Sequence, residues 1–168
     1  MSPILLSNLL ITSFLVGLIW FVQVVHYPIF KEVGKQNFQN FHSVHTTLTG
    51  KIVILPMLIE LGLSFWLVWE GYEVDYTLQN NYVGESIRNR MSNFYSFSSI
   101  ALVFTLLLWI LTAWIFVPLH GKLSKGYDIK TIEKLVFRNW FRTFFWSLRL
   151  ILLIYLTLEA TNNLNYIE

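Results

Sequence analysis

A chain of 168 residues of which 55% are hydrophobic and 13% are charged has too much apolar surface for a soluble domain. The formal net charge of +2 is too small to indicate nucleic-acid binding, and the absence of cysteine excludes disulfides and thiolate metal ligands. The composition therefore predicts an integral membrane protein.

Four apolar runs are each long enough to cross a hydrocarbon core of about 30 Å as a helix, which takes ~20 residues. They cover roughly Ile4 to Val25, Ile52 to Trp69, Phe97 to Val117 and Phe141 to Leu158. Lipid offers no hydrogen bonds to the backbone, and the loops between the runs are short. The sequence therefore predicts an all-α, up-down four-helix membrane bundle that forms a single domain over residues 1–168.

The basic residues are concentrated in the flanks that meet one membrane face. Nine of the twelve Lys and Arg residues lie there, in the two loops that follow the first and third runs. By the positive-inside rule that face is cytoplasmic, so both termini and the central loop are predicted to lie outside. We expect a multi-pass protein of the plasma or inner membrane.

Two helices are predicted to extend beyond the membrane on the cytoplasmic side. Phe38, Phe41 and His45 have helical spacing ahead of the second run, and Asp128 is placed to cap a helix that leads into the fourth. By contrast, the segment from Tyr72 to Met91 is rich in Asn, Gln and Gly and is expected to be the least regular part of the chain.

Two ionisable residues stand deep inside the apolar runs. Glu60 is nine residues beyond Lys51 and Arg149 is nine beyond Trp140, so both lie about 13 Å from the same face. An unpaired charge at that depth costs at least ~2.5–3.5 kcal/mol, and we therefore predict a buried ion pair between the second and fourth helices. Its role stays open between a structural lock and a share in a polar site or proton path.

All four histidines stand at the cytoplasmic ends of the runs, at His26, His42, His45 and His120. Neutral imidazole is a common ligand of haem and of transition metals, and helical bundles recurrently hold such cofactors. The four are therefore predicted to bind a cofactor, haem or a divalent metal, with His42 and His45 as a metal-binding pair at i, i+3. The alternative is a set of interfacial histidines that bond to head groups, water or helix ends.

A polar stripe on the fourth run faces the same half of the bundle. Asn139, Arg142 and Trp146 share one helical face, and Gln23 lies one turn before the first histidine. Arg142 is predicted to clamp an anionic group such as a haem propionate, a phosphate or a carboxylate. Trp140 and Trp146 are expected to stack on a planar aromatic molecule.

The second half of the chain carries two short motifs, V-P-L at residues 117–119 and N-W-F-R-T at residues 139–143. Together with the length and the four runs, these motifs resemble the small four-helix membrane proteins of the anthrone-oxygenase-like group. The resemblance implies redox or oxygenase-like chemistry on a hydrophobic aromatic molecule. The histidines at helix ends are also similar to those of the small bacterial membrane protoporphyrinogen oxidase, which binds haem.

Two classes of function remain, because the chain has no Gly-rich phosphate loop and no hydrolase or metalloprotease motif. The first is a membrane redox or oxygenase-like protein with its site in the cytoplasmic half. The second is a non-catalytic accessory or structural subunit whose apolar flanks pack in a larger membrane complex or a homo-oligomer. The 17% of aromatic residues suits either class, as a lipid-facing belt or as a pocket lining.

Overall fold

The computed structural model describes the backbone of residues 2–80 and 85–164, with side chains at all of these positions except 78, 85–92 and 162–164. It is 90% helical, and the described residues contain no strand. The all-α four-helix bundle predicted from the sequence is confirmed.

Four helices follow one another along the chain. Helix α1 comprises Pro3–Phe21, one turn of π-helix at Val22–His26 and a short end at Tyr27–Ile29. Helix α2 is Phe38–Asn80. Helix α3 comprises Glu85–Leu111, a π-helical turn at Thr112–Phe116 and Val117–Leu123. Helix α4 is Ile129–Leu164. All four are long and apolar enough to cross a membrane.

Consecutive helices are antiparallel, and α4 closes the ring by packing against α1. We call the end of the bundle that holds the α1–α2 and α3–α4 connections the basic end. One apolar cluster fills the half near the basic end, around Leu15 and Leu135, and a second fills the other half, around Leu5 and Leu153. A layer of buried polar side chains, which includes Arg149, lies between the two clusters.

The predicted helical extensions are present at the basic end. Helix α2 begins at Phe38, well before the apolar run, and Asp128 caps α4 by accepting hydrogen bonds from the backbone N–H of Lys130 and the hydroxyl of Thr131. The hydrogen bond from Thr131 lowers the pKa of the Asp128 carboxyl.

The expected irregularity between Tyr72 and Met91 is wrong for the part that the structure describes. The chain stays helical to Asn80 and is helical again from Glu85, while residues 81–84 lie outside the described part. The polar side chains that suggested a loop instead bond one turn back along the helix. The Gln79 amide donates to the Asp75 carboxylate at 2.8 Å, and the Asn80 amide donates to the Tyr76 carbonyl at 2.9 Å.

Each π-helical turn directly precedes an X-Pro pair near the basic end. The N–H of Tyr27 donates to the carbonyl of Val22, and the N–H of Val117 donates to the carbonyl of Thr112. Pro28 and Pro118 follow, and because proline has no N–H the α-helical hydrogen-bond ladder is interrupted there in any case. A π-turn inserts one residue and rotates the side chains beyond it, which is a device often found at functional sites.

At the opposite end, α2 and α3 approach closely at Gly71. A Cβ atom at this position would lie 3.1 Å from the Tyr95 Cα and 3.2 Å from the Ser98 Oγ. Small residues at helix interfaces allow such close backbone contact in membrane bundles.

Replacement of Gly71 by Ala is therefore expected to destabilise the bundle by about 1–2 kcal/mol, because the neighbouring helix has to shift. Gly62, on the same helix, is the matched control, since a Cβ there meets nothing within 4 Å. Gly62→Ala should be neutral or stabilise by up to about 1 kcal/mol through helix propensity. Unfolding in mixed detergent micelles, followed by circular dichroism, measures both, and equal effects would contradict the packing argument.

Candidate functional site

Arg149 and Glu60 form an ion pair at the centre of the bundle. Their Nη1 and Oε1 atoms are 3.0 Å apart, and both side chains are fully buried. The remaining donors of Arg149 are also satisfied, since its guanidinium bonds to the side-chain oxygens of Asn8, Thr12, Ser64 and Thr105. The second oxygen of Glu60 accepts the indole N–H of Trp146 at 3.2 Å. The central charge pair is thus enclosed in polar partners contributed by every helix.

The four histidines converge near the basic end, where they form what we call the histidine cluster (His26, His42, His45 and His120). His26 Nε2 lies 2.6 Å from His45 Nδ1, and His42 Nε2 lies 3.0 Å from His120 Nδ1. The two pairs are themselves in contact, because the rings of His45 and His120 are 5.6 Å apart between centroids. Three helices therefore bring their imidazoles together, which is incompatible with histidines that point separately to lipid or bulk water.

Tyr27 extends the histidine cluster toward the bundle interior. Its hydroxyl lies 3.1 Å from His120 Nε2, so both nitrogens of His120 are engaged. The π-helical turn that ends at His26 brings His26 and Tyr27 to this position, because it rotates the end of α1 toward the bundle interior. The chain of contacts from His42 through His120 to the Tyr27 phenol consists only of groups that both donate and accept protons.

The observed arrangement is not that of a metal centre. In the described part of the chain, no three His, Cys, Asp or Glu side chains surround a point that would hold a metal ion. The imidazole nitrogens face one another at hydrogen-bonding distance rather than around a shared point. Haem or divalent-metal binding by these histidines, including the pair His42 and His45, remains a prediction.

Arg142 is a buried cation that has no acidic partner among the described side chains. Its side chain is 7% exposed, and its guanidinium carbon lies 4.6 Å from the ring centroid of Phe116 and 5.1 Å from that of Trp146. The guanidinium approaches the Tyr27 hydroxyl, but its Nε has no hydrogen-bond partner. Among the described residues the ion pairs are Lys31–Glu133 and Arg149–Glu60, so no carboxylate neutralises Arg142.

A cleft of about 480 Å³ opens beside the histidine cluster, between α2 and α3. Its lining comes from these two helices, except for Tyr27 of α1 and Arg142 of α4, which form its inner wall. The polar groups are few, and aromatic and aliphatic side chains such as Trp109 and Phe116 provide most of the surface. A volume of this size, with an apolar lining and a few convergent polar groups, is typical of a site for a small organic molecule.

Three polar or aromatic residues expected at the site lie elsewhere. Trp140 is 47% exposed and packs edge-on against Trp20 at the surface, away from the cleft, so the prediction that Trp140 stacks on a planar ligand beside Arg142 is wrong. Asn139 and Gln23 bond to each other at 2.9 Å where α1 meets α4, on the far side from the cleft. Lys122 and Lys134, also in the basic flanks, are exposed, which leaves Arg142 as the buried cation next to the cleft.

Sequence reasoning missed Tyr27, Trp109 and Phe116, which line the cleft. Tyr27 stands directly between a histidine and a proline, which was the one available signal. The two others are aromatic residues within an apolar run and are indistinguishable there from lipid-facing ones. No protein-family model, no curated protein and no solved structure matches this chain.

Proposed function

We propose that this chain is a membrane-embedded, redox or oxygenase-like protein that binds a planar hydrophobic aromatic molecule with acidic oxygen substituents in the cleft between α2 and α3. The observation that carries the proposal is Arg142, a buried guanidinium on the inner wall of a largely apolar cleft that finds no carboxylate in the described part of the chain. A buried, unpaired cation is unfavourable by several kcal/mol, and an anionic oxygen on a ligand would neutralise it.

The lining of the cleft favours a flat, aromatic ligand. Trp109 and Phe116 contribute aromatic rings to the lining, and the planar guanidinium fork suits an oxygen-bearing edge. The indole N–H of Trp109 is buried without a hydrogen-bond partner. An unsatisfied buried donor costs about 1–3 kcal/mol, so a ligand oxygen in the cleft would stabilise this group as well.

The histidine cluster gives the site a proton acceptor. When an acidic phenol or enol binds, its proton passes through the Tyr27 hydroxyl to His120, and the resulting oxyanion stays beside Arg142. His42 Nε2, 3.0 Å from His120 Nδ1, accepts a hydrogen bond from the imidazolium that forms. Loss of this proton makes an electron-rich aromatic ring easier to oxidise. The oxidant for that chemistry would be molecular oxygen as a co-substrate, because the imidazoles of the described residues face one another and do not surround a metal position.

Binding of a dihydroxyanthraquinone, whose visible absorption changes when a phenol ionises, tests the proposal. In detergent-purified protein, Arg142→Lys should weaken binding at least about tenfold, because one point charge does not replace a planar fork. Arg138→Lys, four residues earlier on α4 and not in the cleft lining, is the matched control and should leave the affinity unchanged. Anthraquinone without hydroxyl groups should be insensitive to both changes.

The absorption spectrum, metal content and extractable small molecules of the same purified sample measure which cofactor it carries. If the wild-type protein binds neither compound and yields no bound ligand, haem or metal, the proposal is wrong. A non-catalytic accessory subunit would then be the better account of the chain.

A further inference from the structure

We propose that the ligand reaches the cleft sideways from the membrane, between α2 and α3, and is an amphiphile with an acidic aromatic head and a long apolar body. This inference rests on the proposed function, because it assumes that the cleft beside Arg142 is occupied by a ligand. It adds the route of entry and the part of the ligand that lies beyond the ring.

The cleft is shielded from the aqueous phase at the basic end. Phe30 and Phe38, at the two ends of the connection from α1 to α2, are fully buried. The ring of Phe30 packs on His45 at 4.9 Å and that of Phe38 stacks on His42 at 5.8 Å, both between centroids. The two phenylalanine rings therefore cover His45 and His42 and separate them from water beyond this end of the bundle.

The seam between α1 and α4 is also closed. The Gln23 amide donates to the Val136 carbonyl at 3.2 Å and accepts from the Asn139 amide at 2.9 Å. Outside this bridge, Trp20 packs against Trp140 with 5.8 Å between ring centroids. A molecule that entered from the bilayer between α1 and α4 at the level of Gln23 would have to break these contacts.

Between α2 and α3 the rim of the cleft faces outward. Ile54 and Val117 line the cleft from opposite sides, yet they are 58% and 62% exposed, as lipid-facing residues are. Gly50 and Ala113 also line the cleft, and because they have no side chain or a small one they leave the gap between α2 and α3 open. The π-helical turn of α3 contributes Thr112, Ala113 and Phe116 to this wall. The structure thus offers a lateral passage at this seam.

The length of the cleft indicates the shape of the ligand. Its lining runs from His45 to Met57 on α2 and from Trp109 to His120 on α3, which at 1.5 Å per residue is about 17 Å along the helices. Polar groups border the end of the cleft near the histidine cluster, whereas Met57 and Trp109 line the opposite end, nearer the middle of the bundle. A molecule that fills this space has its acidic head beside Arg142 and an apolar body parallel to the helices, open to lipid along one side.

Stopped-flow binding to the full-length protein in liposomes tests the route. The probes are a dihydroxyanthraquinone with a long alkyl chain, which resides in the bilayer, and a sulfonated dihydroxyanthraquinone, which stays in water. We expect the alkylated probe to bind and the sulfonated one to fail. Val117→Trp should slow association of the alkylated probe about tenfold or more, because the indole fills the passage, and Ile54→Trp provides a second variant on the opposite rim.

Val103→Trp is the matched control, because Val103 lies on the same helix, is 59% exposed and does not line the cleft. It should leave the association rate unchanged.

A diazirine on the alkyl chain should label α2 and α3 rather than α1 and α4. Lateral entry is overturned, with the proposed function intact, if both rim variants bind like wild type or the sulfonated probe binds equally fast, while Arg142→Lys still weakens binding. Failure of the wild-type protein to bind either probe overturns both proposals.

Discussion

Replacement of Arg149 by Met is expected to destabilise the folded bundle by about 3–5 kcal/mol, because it leaves the fully buried Glu60 carboxylate without its cation. Glu60→Gln should cost a similar amount, since it leaves the guanidinium uncompensated. The double variant should be less destabilised than the sum of the two, because no lone charge remains inside the bundle.

Unfolding of the four proteins in mixed detergent micelles gives the coupling free energy as a double-mutant cycle. The amide of Gln still accepts the Trp146 indole N–H, so the cycle isolates the charge interaction from that hydrogen bond. Ser147→Ala is the control for the loss of any polar side chain on α4. The Ser147 hydroxyl lies near the lipid-facing surface beside Trp20, so its removal should change stability by less than about 1 kcal/mol. Additive single effects would contradict an energetic link between Glu60 and Arg149.

The pairing of Glu60 with Arg149 follows from depth alone, and this is why sequence reasoning reached it. Residue counts from the membrane face place both side chains at one level, and a lone charge there is too unfavourable to persist. The neutral partners Asn8, Thr12 and Ser64 had no such signal. A single amide or hydroxyl in an apolar run is tolerated facing its own helix backbone, so its direction is set by tertiary packing.

The predicted convergence of the histidines could be derived only in part from helical phase. Helical phase relates His42 and His45 to the buried face of α2, but the positions of His26 and His120 depend on π-helical turns that spacing at 3.6 residues per turn does not include. Each π-turn shifts the following side chains around the axis. The same shift brings Tyr27 into the site and explains why its role was not visible in the sequence.

The wrong prediction for Trp140 has a related cause. Trp140 belongs to the N-x-x-R-T motif and lies one position outside the stripe that Asn139, Arg142 and Trp146 share. At 100° per residue, one position is enough to turn a large ring from the core to the surface, where it packs against Trp20. The motif therefore mixes residues of the buried face with residues of the outer face, and of its five residues only Arg142 lines the cleft.

The two buried arginines of α4 differ in what surrounds them, and the proposed function depends on this difference. Arg149 has a carboxylate and four neutral oxygens as partners. Arg142 has two aromatic rings, a nearby phenol and an Nε without a partner. A buried polar group that stabilises the fold finds its hydrogen-bond and charge partners within the chain. A buried group in a binding site can lack such partners until the ligand binds, and this lowers the stability of the ligand-free protein.

Replacement of Arg142 by Met is accordingly expected to stabilise the ligand-free protein by about 1–3 kcal/mol, the opposite sign to Arg149→Met on the same helix. Met keeps the contacts with Phe116 and Trp146 and removes a desolvated, unpaired cation, and the loss of the cation–π contacts offsets only part of this gain. Addition of the dihydroxyanthraquinone should then raise the stability of the wild-type protein by binding linkage and leave the Arg142→Met variant unchanged. Thermal unfolding of both variants with and without the compound measures these shifts. Destabilisation of ligand-free Arg142→Met to the extent seen for Arg149→Met would mean that Arg142 is a structural residue, and the case for an anionic ligand in the cleft would be lost.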